Sequence, residues 1–159
     1  MIFEKTVMVK APLHKVWDFS WDPEKLASCI EGCEKVEEIE PKKRYRAFVE
    51  AKVGPFKTSF AVELDVLEVD ALHIQAKAAG KDSKIAASMK QQIDLQLKEI
   101  SGEGTELKFK TDVSILGKLA TLGHWMIKKK ADEVMEQFVS RMKAQIEGKV
   151  ERNGGDKGC

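Results

Sequence analysis

The side chains able to exchange a proton near neutral pH are three histidines, His14, His73 and His124. None lies in a string that would pair a nucleophile with a base and an orienting group. His14 falls in a short helix, His73 on the polar parity of a strand, and His124 early in a long helix, and surface or packing duty is the expectation for each. Three cysteines, Cys29, Cys33 and Cys159, cannot build a framework of paired disulfides. Cys29 and Cys33 lack the second cysteine or histidine pair of a structural zinc site, so both are expected to pack as small apolar residues. No catalytic residue, metal or cofactor is therefore assigned, and the chain reads as a binder and not an enzyme.

What the residue types do offer is an oily lining. Ala47 and Ala51 on one strand, and Ala76 and Ala78 on another, are small residues at inward positions. They face a helix rich in leucine and methionine. Alanines there leave volume, and an empty void costs roughly 24 cal/mol per Å3, which an apolar ligand would recover. The competing reading is that the helix settles closer to the sheet at the alanines, because interiors close-pack. The inward set that would line such a hollow comprises Val62, Leu64, Ile74, Ile93, Leu95 and Phe109 from strands, with Leu122, Met126 and Val134 from the helix. Trp17 and Trp125 are added as aromatic walls, and the methionines suit a ligand of imprecise shape.

The elements that must position this lining follow from hydrophobic period. Residues 2–10 read as a strand. Pro12 opens a short helix carrying Leu13, Val16, Trp17 and Phe19, and Asp22-Pro23-Glu24 opens a second. From Glu34 to Ile115 the period becomes two: Phe60, Val62, Leu64 and Val66 alternate with polar residues, as do Ile93, Leu95 and Leu97, and later Leu107, Phe109, Val113 and Ile115. Turns are expected at Pro41-Lys42-Lys43, Val53-Gly54-Pro55, Asp70-Ala71, Gly80-Lys81-Asp82-Ser83 and Ser101-Gly102-Glu103-Gly104. After Gly117 a helical stripe runs through Leu119, Leu122, Met126, Lys130, Val134, Phe138, Met142 and Ile146, predicting a helix of about thirty residues and about 45 Å. The order asks for an α+β helix-grip fold: a curved seven-stranded antiparallel sheet wrapped around a long C-terminal helix, with two short helices after the first strand. Residues 1–148 are expected to form one domain and 149–159 a flexible tail.

Lysine plus arginine, at 27, nearly cancel aspartate plus glutamate, at 26, so no long-range field gathers phosphates and nucleic acid is excluded as a partner. The first residues lack a secretion signal and no run of about 18 apolar residues occurs, which places the protein in the cytoplasm. Lys118 and Lys128-Lys129-Lys130 could meet anionic headgroups, but interleaving with Asp132, Glu133 and Glu136 favours a solvated helix face. Phe48 and Phe56 are expected to be exposed aromatics.

This order, with four local strings, resembles the CoxG family of carbon monoxide dehydrogenase subunits, within the START and polyketide-cyclase-like superfamily. The strings are Val16-Trp17 followed by residues 22–34, which contain Cys29-Ile30-Glu31-Gly32-Cys33; Val53-Gly54-Pro55-Phe56; Gly104-Thr105-Glu106-Leu107; and Gly117-Lys118-Leu119-Ala120-Thr121-Leu122-Gly123. Glu31 stands where the family usually has proline, which leaves that turn less rigid. The resemblance implies noncovalent carriage of a lipid-like or quinone-like molecule between sheet and helix. It also implies accessory service to a carbon monoxide dehydrogenase-type molybdenum hydroxylase, at the inner face of the membrane. In this superfamily the grip opens near the start of the long helix, which is why His124 and Trp125 are candidates for meeting a headgroup. Two other readings stay open: a cyclase- or hydrolase-type enzyme acting on a hydrophobic substrate, and an interaction module docking through Phe48 and Phe56.

Overall fold

In the computed structural model, which describes residues 1–148, β1 (Ile2–Val9) buries Phe3, Val7 and Val9 on one face. Pro12, in extended conformation, precedes α1 (Leu13–Ser20), whose buried residues are Val16 and Phe19. Asp22 caps α2 (Pro23–Ser28) by accepting a hydrogen bond from the Lys25 amide at 3.1 Å, with Pro23 at the first helical position where its missing N–H costs nothing. Six strands follow: β2 (Cys33–Glu40), β3 (Arg44–Val53), β4 (Phe56–Asp70), β5 (His73–Asp82), β6 (Ala87–Ile100) and β7 (Gly104–Gly117). A 3-10 turn (Lys118–Leu122) leads into α3 (His124–Glu147).

All seven strands form one antiparallel sheet in the order β1-β7-β6-β5-β4-β3-β2, so the first strand is seated beside the last. The helix-grip architecture is as expected. The proposed tail, 149–159, and Cys159 with it, lie outside the described residues.

Three local expectations are corrected. The long helix is 24 residues, about 36 Å, because Gly123 at φ 90 cannot continue a helix and leaves Leu119 and Leu122 in the separate 3-10 turn. The turn placed at Gly80 falls at residues 83–86 instead. Gly80 is a strand residue between Val62 and Met89, and its missing Cβ accommodates the side chains of Phe60 and Val62. The Asp82 carboxylate builds the real turn by accepting from the Lys84 amide at 3.0 Å. Finally, Phe56 is half-buried against Val53, Phe60, Ala87 and Leu119, whereas Phe48 is exposed under the Lys35 ammonium.

Most of the buried apolar residues gather in two separate clusters, with Phe3, Ile74, Ala76 and Ala78 in neither. One joins Val7, Val9, Val16, Phe19, Cys29, Leu97 and Leu107 to Met142 and Ile146 at the end of α3. The other joins Val53, Phe60, Ala87 and Leu119 at the 3-10 turn, with Leu122 packed against it. Near it, Gly54 at φ 58 brings the β3–β4 turn so close to α3 that an added Cβ would lie 2.7 Å from the Met126 sulfur. The helix is thus fixed at both ends, and its middle spans the sheet between them.

Candidate ligand site between the sheet and the C-terminal helix

The register of β3 to β7 puts the small residues in the middle of the spanned face. Ala76 lies between Val66 and Ile93, and Ala78 between Leu64 and Gln91. Ala47 lies opposite Val62, and Leu95 opposite Phe109. Because strand side chains alternate, Ala47, Ala51, Val62, Leu64, Ile74, Ala76, Ile93, Leu95 and Phe109 all share the face turned toward α3.

Their burial is uneven in an informative way. Ala76 and Ala78 are 5% and 6% exposed, at the bottom of the sheet's curve. Of the larger residues on the same face, Ile74 is 7% exposed, whereas Val62, Leu64, Ile93, Leu95 and Phe109 are only half-buried. A core face in close contact with its covering helix would bury these first. Leu95 and Phe109 pack on the first cluster and Val62 on the second, which leaves Leu64 and Ile93 as the half-buried residues of this lining that belong to neither. On the helix side, Ile127, Ala131 and Met135 are likewise half-buried.

Of the sequence-derived lining, Leu122 and Met126 sit at the end closed by the β3–β4 turn. Trp17 sits at the opposite end, packed on the first cluster with its ring edge-on to Trp21 at 5.8 Å. Two residues do not join them. Trp125 is 70% exposed and lies beneath the Lys129 ammonium on the outer flank of α3, so it forms no wall between helix and sheet. Val134 is 39% exposed. The stripe traced in steps of four drifts about 40° per step against the 3.6-residue turn, and Val134 lies about 80° from the direction of Met142. Met135, half-buried, is the better-aligned neighbour.

Two polar residues on this face escaped the sequence reading. Gln91 and Thr111 interrupt the apolar parities of β6 and β7, and the Gln91 amide Nε2 donates to Thr111 Oγ1 at 2.7 Å. Thr111 in turn donates to the Gln92 carbonyl at 3.0 Å and is 3% exposed. The signal was available: continuing the Ile93 and Phe109 parities by one step each reaches them.

The positions of this face from Val62 to Val66, Ile74 to Gly80, Met89 to Leu97 and Leu107 to Ile115 carry no acidic or basic side chain; Asp82 and Glu99 share its parity at strand ends. Lys5, at its margin, is paired with Glu136 of α3. Asp82, at the end closed by Phe60 and Ala87, accepts from the Ser59 amide at 2.6 Å; with that bond first, and against the opposing effect of burial, the backbone hydrogen bonds hold its pKa below the ordinary value. His73 belongs to the opposite face, where its Nε2 lies 2.8 Å from Asp94 Oδ2. Burial raises the Asp94 pKa, but hydrogen bonds from His73 and Gln75 outweigh it and leave the carboxyl below its usual range. His14 and His124 are exposed. Burial pushes the Cys29 and Cys33 thiols up, the opposite of what a nucleophilic thiolate needs. Lys128 pairs with Asp132 at 2.8 Å, as a solvated helix face would. The trough running from Trp125 to Gln137 has α3 alone for its wall and encloses nothing. No three His, Cys, Asp or Glu side chains come together as a metal site among the described residues, and none of the described helices is long and apolar enough to cross a membrane.

A curved seven-stranded antiparallel sheet with a long C-terminal helix across one face defines the class as a START-like helix-grip protein, and known structures share it. A conserved protein from Geobacillus kaustophilus superposes with a TM-score of 0.82 at 21% identity, covering 92% of this chain and 95% of that one. The Zhui aromatase/cyclase from a Streptomyces species gives 0.69 at 19% identity, covering 98% and 99%. A START superfamily protein from Mycobacterium smegmatis gives 0.67 at 19%, covering 92% and 97%. No curated protein matches in sequence. The family profile of the CoxG subunit of carbon monoxide dehydrogenase matches residues 6–147, and the chain belongs to that family.

Proposed function

We propose that the protein binds an apolar small molecule, lipid-like or quinone-like, noncovalently between sheet and helix, and carries it without chemical change. The observation that carries this reading is the half-burial of Val62, Leu64, Ile93, Leu95 and Phe109 on the covered face, around a floor of buried alanines. Filling such a space with hydrocarbon returns about 25 cal/mol for each Å2 taken from water. The lack of titratable groups in the middle of that floor favours carriage over acid–base catalysis.

Family membership supports the finer reading, in which the carrier is an accessory to a carbon monoxide dehydrogenase-type molybdenum hydroxylase. A cargo that moves between that enzyme and the inner membrane face suits a protein working at the membrane periphery. Native mass spectrometry after gentle purification tests the carrier role: the expected result is a mass above that of the chain, released by organic extraction. A ligand-free protein that also ignores added quinones and fatty acids overturns it.

A further inference from the structure

Gln91 occupies the centre of the apolar floor, between Ala78 and Val113 across the strands and between Met89 and Ile93 along its own. Its orientation is fixed by proton accounting. The single hydroxyl proton of Thr111 goes to the Gln92 carbonyl, so Thr111 Oγ1 can only accept from Gln91, which turns Nε2 toward Thr111 and Oε1 away. Oε1 then has no partner among the described residues. It is nevertheless not sealed: the buried side-chain polar atom without a partner among those residues is the Trp21 indole nitrogen, not Gln91 Oε1. An acceptor that is oriented, reachable and set in hydrocarbon is costly to leave bare beside an apolar ligand.

Resting on the carrier reading above, we propose that Gln91 is the polar anchor of the site and that the cargo class is an apolar molecule bearing a hydroxyl donor. A phenol or alcohol gives its proton to Oε1, while a pure hydrocarbon of the same shape strips water from that oxygen and returns nothing. Thr111 is a positioning residue, since it acts by holding the amide in this orientation.

The test is calorimetric titration with para-nonylphenol and nonylbenzene, which share the alkyl tail and differ in the donor. The expected result is that the natural protein prefers the phenol by about tenfold, equivalent to about 1.4 kcal/mol. Gln91→Leu should lose that preference while binding nonylbenzene at least as well, and Thr111→Val, which keeps the amide but frees it, should retain only part of it. Retained nonylbenzene binding shows that a variant is folded. Equal affinity of the natural protein for both probes, or a preference unmoved by Gln91→Leu, overturns the anchor and leaves carriage standing. Failure of the natural protein to bind either probe overturns both.

Discussion

Asp82 draws in the amides of Ser59 and Lys84 and is itself buried, so one carboxylate ties β4 to the β5–β6 turn. Removing its charge while keeping its shape, in Asp82→Asn, should cost about 2 kcal/mol, read as a lowered urea midpoint near neutral pH. Because its folded-state pKa is depressed, its contribution is complete above the ordinary aspartate value of about 3.9 and is lost as pH falls through the lower folded value. The difference between Asp82→Asn and the natural protein should therefore shrink as urea unfolding is repeated at more acid pH. Ala78 makes the opposite kind of prediction. Ala78→Leu should leave the melting temperature unchanged or raise it while displacing the cargo in native mass spectrometry, because it fills space the ligand would use. A close-packed site would instead lose about 1–3 kcal/mol to overpacking. Residue types alone placed these alanines inward, but not Gln91 and Thr111, which broke a parity that their neighbours kept.

Helix α3 divides into parts with different duties, and period alone could not separate them. Met142 is 3% exposed within the first cluster, whereas Val134 stands off the sheet. Met142→Ala should cost about 2–5 kcal/mol and Val134→Ala about 0.5 kcal/mol or less, measured by chemical denaturation. Strand existence, the α2 cap and the apolar parities were legible because each is set by neighbouring residues. The helix start was not: Gly117 and Gly123 both lie in the apolar stretch, and only the backbone reveals that Gly123, at φ 90, is the break. The outward position of Trp125 was hidden for the same reason, since moving the helix start changes what its first turn faces. Gly80 looked like a turn residue by composition, but pairing on both sides keeps it in its strand.

Taken whole, the molecule lays across one face of its sheet a helix that packed clusters fix at two ends. A bound cargo should raise stability by RT ln(1 + [L]/Kd), about 2.7 kcal/mol at a hundredfold excess over Kd, so thermal melting should climb with added ligand and fall after delipidation. The sheet order also has a temporal side. Strand β1 leaves the ribosome before the other strands, yet its partner is β7, about a hundred residues later, and the covering helix comes later still. Until then the nascent meander presents Val62, Leu64, Ile93 and Leu95 uncovered. Pairings this distant in sequence slow folding, so chain closure is expected to take milliseconds to seconds after α3 is made, an interval in which greasy strands depend on chaperones or dilution to stay apart.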